Sequence, residues 1–274
     1  MARRGRNRRR GGKGNSTLGK AFAFVTILAV LGAVGFLFYL NATTTVVKLD
    51  ETTMCPLGKP PSDVFAVLVD STEAIPEKSA RQAVIKVRNA LDSAPINSKI
   101  TLYSVRSGNE SHAVPIASIC KPDTGASASQ LTQNPEFIIM NYQKFIERLD
   151  QHLASLVGQA GSDTSPIIES FQSAVIESFE GNPNTGGKSI IVISDMIQNS
   201  DLYSFYRVEP DFKSYLSQSK NTGRGVLNLT GIKVEVLLVP RTPPIGTRQD
   251  LVRFWSEFLS EYGARSGSSL EPLS

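Results

Sequence analysis

Apolar residues along this chain fall into one long run and several short ones. The long run, Ala21 to Leu40 (AFAFVTILAVLGAVGFLFYL), carries no charge over 20 residues. At about 1.5 Å rise per residue it covers roughly 30 Å, the thickness of a bilayer core, and it predicts a transmembrane helix. Two rivals fit less well. Soluble cores seldom need so long an uninterrupted apolar run, and a cleavable signal peptide has an apolar region of about 7–15 residues ending in a small-x-small site, whereas Tyr39-Leu40-Asn41 closes a full-length span.

The short runs are DVFAVLVD (Asp63–Asp70), KITLYSV (Lys99–Val105), HAVPIASI (His112–Ile119), SIIVISD (Ser189–Asp195) and KVEVLLV (Lys233–Val239). Their β-branched content and lack of strict alternation predict strands buried on both faces, as in a parallel sheet. Between them the apolar period changes to that of a helix. Ala80, Val84, Val87 and Leu91 mark Pro76–Leu91; Glu136–Val157 is a long helical pattern; Pro166–Phe179 opens on Ser165-Pro166, an N-cap and first-turn pair; and Val252, Trp255, Phe258 and Leu259 share a face of Leu251–Tyr262. A short helix is expected over Asp211–Gln218.

Strands alternating with helices predict an α/β fold, a doubly wound and mostly parallel sheet, preceded by one transmembrane helix. The brief turn through Ser107, Gly108 and Asn109 can join only antiparallel neighbours, so one antiparallel strand is expected at an edge. The resulting organisation is a basic disordered tail (1–20), the membrane helix (21–40), a Thr- and Pro-rich stalk (41–62), the domain (63–263) and a flexible tail (264–274). Ligands of such sheets bind beyond the carboxyl ends of the parallel strands, which directs attention to Asp70 and Asp195.

Charge separates the tail from the domain. Eight of the 29 Lys and Arg residues lie in Met1–Lys20, which has no acid; the remainder holds 21 basic against 25 acidic residues, a net charge of −4. A phosphate-binding surface would need the opposite sign, so no nucleic acid is expected on the folded domain. The basic flank predicts a cytoplasmic amino terminus and a periplasmic or extracellular domain, with the tail free to touch anionic headgroups. An exported domain places Cys55 and Cys120 in an oxidising compartment, where they form either a disulfide or two unrelated small apolar positions. Whether the sequons at Asn109 and Asn228 mean anything depends on the cell.

Catalytic motifs are missing. No G-x-G-x-x-G follows the first strand, no G-x-x-x-x-G-K-[ST] occurs, and Gly186-Gly187-Lys188-Ser189 leads into a strand instead of a helix. His112 and His152 form no ligand-spaced pair. The chain is therefore expected not to be an enzyme.

Three polar loops remain. DVFAVLVDSTEA, GSDTSPI (Gly161–Ile167) and SIIVISD resemble, in order and context, the loop signatures of the von Willebrand factor A domain. That resemblance implies a metal-ion-dependent adhesion site, in which carboxylate and hydroxyl oxygens hold a hard cation, Mg²⁺ or Mn²⁺. Position by position it implies Asp70, Thr72, Thr164 and Asp195 as ligands. Ala74 falls where the pattern has a second serine and offers no oxygen, with Glu73 and Asp163 as neighbouring acids. The alternative role for these side chains is capping of nearby N–H groups.

With the antiparallel strand ending at the sheet's lower edge, Cys120 and Cys55 fall together on the face opposite Asp70 and Asp195, which favours their pairing. The resemblance implies a membrane-tethered module that binds another protein, at an envelope or cell surface, through its upper loops. Two other readings stay open: a membrane-bound hydrolase using Asp70 and Asp195 around a metal, and a scaffold assembling through Ala29 and Ala33 of the membrane helix.

Overall fold

The computed structural model describes residues 16–43, 48–106, 113–125, 134–157, 161–162, 164–180, 186–222 and 227–274. The basic residues before position 16, His112, Asp163, the sequon at Asn109 and much of the 181–187 loop lie outside them. The chain forms two units, 1–46 and 47–274.

The first unit contributes one helix, α1 (Ser16–Thr43). Its Gly19–Tyr39 stretch has 21 residues and a mean hydropathy of 2.5, with no residue of the window buried, so it is long and apolar enough to cross a bilayer.

The second unit is the α/β domain. Its elements run β1 (Val64–Asp70), α2 (Glu77–Asp92), β2 (Lys99–Val105), β3 (Ala113–Cys120), α3 (Pro135–Val157), α4 (Ile167–Val175, continued by a π turn over Ile176–Glu180), β4 (Lys188–Ser194), α5 (Phe212–Thr222), β5 (Ile232–Leu238), α6 (Arg248–Glu261) and β6 (Ser269–Pro272). The sheet order is β3-β2-β1-β4-β5-β6, parallel throughout except for β3 at one edge. This is the arrangement expected above. At that edge the β2–β3 register slips at Leu102/Tyr103, and Pro115, lacking an N–H, is tolerated because one side of the strand has no neighbour.

Period-2 geometry explains why the strands read as continuous apolar runs. Val64, Ala66 and Leu68 of β1, with Ile190, Val192, Val234, Val236 and Leu238, enter one core with Phe171 of α4 and Phe254, Trp255 and Phe258 of α6. The intervening Val67, Val69, Ile191, Ile193, Leu237 and Val239 enter a second core with Val87 and Leu91 of α2 and Phe145, Leu149 and Leu153 of α3. Both faces are covered, so both phases of the alternation must be apolar.

Two segments depart from expectation. Residues 264–274, expected as a flexible tail, provide β6, which pairs with β5; Leu273 is buried and its N–H reaches the Leu238 carbonyl at 2.9 Å. Four residues ending in Pro carry no strand signal of their own; the unpaired edge of β5 supplies the template. Residues 48–62, expected as an extended stalk, fold against the domain. Met54 is buried, the Cys120 N–H donates to the Thr53 carbonyl at 2.8 Å, and Arg148 of α3 donates to the Glu51 and Thr52 carbonyls at 3.2 and 2.9 Å.

The Cys55–Cys120 disulfide anchors this segment. Cys120 stands opposite Lys99, and Lys99 opposite Val64, so the bridge lies at the amino-terminal ends of β1 and β2, the far end of the sheet from Asp70. Beside it the buried Lys121 ammonium donates to the Asp92 and Ala94 carbonyls at 2.5 and 2.7 Å, satisfying acceptors that α2 leaves open at its carboxyl end.

Candidate functional site

β1 and β4 are adjacent and parallel, with Val69 opposite Ile193, so Asp70 and the Ser194-Asp195 pair emerge side by side at the same end of the sheet. Asp70 is buried, yet both its oxygens are satisfied. Oδ1 accepts from the Thr72 N–H at 3.1 Å and the Thr72 hydroxyl at 2.6 Å; Oδ2 accepts from Ser194 at 2.8 Å and Ser165 at 3.1 Å. Four donors stabilise a carboxylate that water cannot reach.

Asp195 is also buried, and Oδ1 accepts from the Ile197 N–H at 2.8 Å. Burial first, and the nearby Asp70 charge second, push its carboxyl up to about 7, against the pull of the Ile197 N–H. The turn that presents it is strained. Met196 adopts φ 61°, in the left-handed region disfavoured for a side chain with a Cβ. It is held from both sides, its N–H donating to the Ser194 hydroxyl at 2.7 Å and its carbonyl accepting from the Trp255 indole at 2.8 Å.

The Trp255 indole belongs to an aromatic cluster in which Tyr203, Phe205, Phe212 and Tyr215 pack on Phe254 and Phe258 of α6. A capping box between Thr247 and Asp250 starts that helix. Gln198, fully buried, accepts from the Ile168 N–H at 2.9 Å and so ties the loop after β4 to the first turn of α4.

The predicted ligand set is only partly assembled. Asp70, Thr72 and Asp195 converge, but Thr164 is exposed, and its main-chain carbonyl and N–H bond the Ser162 hydroxyl at 2.9 and 3.2 Å. The neighbouring Ser165 is the residue that reaches Asp70, and the sequence offered it as a helix cap instead. Pro166 occupies the capping position and makes no side-chain cap bond.

Two further residues had no motif to announce them. Arg241, in the loop after β5, pairs with Glu73, lies 3.3 Å from Asp195 Oδ2 and reaches the Ala74 carbonyl at 3.4 Å. Tyr206 directs its hydroxyl to Glu73 at 3.3 Å and stays 43% exposed, and Val208, two residues further along the chain, is 46% exposed. Burial, then the Asp195 and Asp70 charges, raise the Tyr206 phenol above its ordinary value.

These side chains do not fit a divalent cation. Asp70's lone pairs are engaged, Ala74 brings no side-chain oxygen, and Thr164 is exposed. A guanidinium already stands beside Asp195 and Glu73, and the space enclosed by Asp70, Glu73, Ala74, Ser194, Asp195 and Arg241 is about 10 Å³. Among the described residues no group of three or more His, Cys, Asp or Glu side chains is placed to hold a metal ion between them. A larger groove of about 500 Å³ lies away from these acids, between α2 and β4–β6; its rim holds the Lys86–Glu271 and Lys233–Glu235 pairs, and Asp63 there accepts from the Gly187 N–H at 2.7 Å.

No family model and no curated protein sequence matches the chain. Among solved structures it is similar to an aerotolerance-related membrane protein from Bacteroides fragilis at 17% identity, over 68% of this chain and 72% of that one, with a TM-score of 0.34. It is also similar to the SpRpn10 VWA domain at 11% identity, over 77% and 87%, with a TM-score of 0.38. A third is manganese-loaded Plasmodium vivax TRAP protein, at 12% identity over 70% and 61%, with a TM-score of 0.33.

Proposed function

We propose that the protein is a membrane-anchored binding module whose upper loops, around Tyr206, Val208, Glu73 and Arg241, dock another protein. The observation that carries this reading is Tyr206. It is large, amphipathic and 43% exposed, yet its hydroxyl is tied to Glu73 at the rim of the buried acid pair. Tyrosine and arginine are the side chains that most often anchor protein interfaces, because they bring large contact area at little conformational cost. The polypeptide beneath is braced by the strained Met196 turn and the Trp255 bond, so the surface is preorganised for a partner.

The helix Gly19–Tyr39 supplies the anchor in this reading, with its basic flank in the cytoplasm and the domain on the other side of the membrane. Tethering confines the partner search to the membrane surface and raises effective concentration. Recognition without a divalent cation is the form the side chains support. The hydrolase reading is less favoured among the described acids, since Asp70 accepts four hydrogen bonds and Arg241 lies against Asp195 and Glu73.

Site-specific photocrosslinking in native membranes tests the docking reading. A crosslinker at position 206 should yield one discrete adduct that a Val208→Asp substitution abolishes, whereas a crosslinker at Leu57, near the opposite end of the sheet, should yield none. An adduct only from position 57 would move the interface to the other pole and end this proposal.

A further inference from the structure

The charge arrangement at the upper pole poses a question the docking reading leaves open: what neutralises it? Three carboxyl groups meet there, Asp70, Glu73 and Asp195, two of them buried. Asp70 is satisfied by hydroxyl and N–H donors alone. Asp195 and Glu73 instead share one counter-charge, the Arg241 guanidinium, which bridges the loop after β4 to the loop after β1.

Its place follows from the topology. β5 lies beside β4 with Leu238 opposite Ser194, and the Val239 N–H bonds the Ser194 carbonyl at 2.9 Å, so the chain leaves β5 three residues before Arg241 right next to Asp195. The guanidinium also donates to the Ala74 main-chain carbonyl at 3.4 Å. Arginine suits this role because it stays charged at any physiological pH and carries several N–H donors in one plane.

We propose that Arg241 is the resident cation of this site, a covalently attached replacement for a bound metal ion, clamping the β1 and β4 loops into one surface that needs no divalent cation. Arg241 and an Ala74 without a side-chain oxygen then belong to one arrangement. An exchangeable ion makes a site depend on its supply; a side chain makes the surface permanent. This assignment concerns charge balance within the chain and does not depend on a partner.

Thermal unfolding of the full chain in detergent tests it. The wild type should have the same Tm in EDTA and in millimolar Mn²⁺ or Mg²⁺. Arg241→Ser should lower Tm by several degrees, roughly 2–4 °C for each kcal/mol lost in a domain of this size. The same substitution made in an Asp195→Asn, Glu73→Gln background should cost at most half as much, since the acids it serves are gone. Should Arg241→Ser fail to fold, Arg241→Lys, which keeps the charge and loses the fork, replaces it in the same cycle.

Two results would overturn the proposal. One is a Tm rise in Mn²⁺ or Mg²⁺ that Asp70→Asn removes, which would show a genuine metal site. The other is an equal cost of the Arg241 substitution in both backgrounds, which would show that Arg241 does not act through those acids. Either result would leave the crosslinking test of docking at Tyr206 intact.

Discussion

The Trp255 indole N–H donates to the Met196 carbonyl at 2.8 Å, and Met196 is the residue held at φ 61° immediately after Asp195. A side chain from the last long helix therefore fixes the backbone conformation that presents an acid at the end of β4. The bond is buried and 59 residues apart in sequence, so it ties together parts of the domain that no local propensity connects.

Trp255→Phe should keep most of the apolar packing and remove the donor. The Met196 carbonyl would be left buried without this partner, at a cost of about 1–3 kcal/mol. Urea unfolding should show that loss with an unchanged m-value, because the surface exposed on unfolding is nearly the same.

The Asp70 carboxylate should be sensitive to its hydroxyl donors in a non-additive way. Ser194→Ala and Ser165→Ala each delete one bond to Oδ2. Hydrogen bonds to a charged group contribute about 1.5–3 kcal/mol each, and the two share an acceptor. The double variant measured by denaturation should therefore differ from the sum of the singles, and Asp70→Asn should make both substitutions milder.

The Asp195 carboxyl gives the pH dependence a definite sign. Its folded value, about 7, is above the ordinary 3.8, so between those values the folded protein holds a proton that the unfolded chain releases. Stability should fall as pH rises from about 4 to about 7 through this group. Asp195→Asn should flatten that part of a Tm-against-pH curve.

Removing the disulfide by Cys55→Ser with Cys120→Ser opens a cross-link between residues 65 apart. The chain-entropy model assigns it about 4 kcal/mol, acting mainly through the unfolded state. Reduction of the wild type should reproduce the loss in unfolding experiments. Limited proteolysis should then cut first within 48–59, since Pro60 and Ser62 stay bonded to Asn97 and Ile96 while the stretch before them keeps the Arg148 and position-120 N–H bonds to Glu51, Thr52 and Thr53.

Much of the architecture was legible because its physics is local. An uncharged run over Ala21–Leu40 has one common solution in a bilayer, and doubly apolar runs such as VFAVLVD and SIIVIS have one common solution in a sheet covered on both faces. The brief β2–β3 connection left only an antiparallel pairing, and that placed β3 at an edge and the two cysteines together. β6 escaped because Ser269–Pro272 has no strand pattern; the β5 edge imposes its conformation.

The site divides along the same line. Asp70 and Asp195 could be named in advance, since each closes an apolar run and parallel neighbours deliver such ends together. The loop beside Asp70 could also be named, but not whether Thr164 or Ser165 would turn inward, because one residue's difference in a loop depends on how it packs. Arg241 is 46 residues beyond Asp195 in sequence, in a Pro-rich loop with no motif, and Trp255 looks like any helix-face aromatic. Sequence alone determined the helices and every strand but β6, their order and the acids at the strand ends, through spacing and burial. Tertiary structure alone decided which hydroxyls and which cation meet those acids, because that depends on where distant loops come to rest on one edge of the sheet.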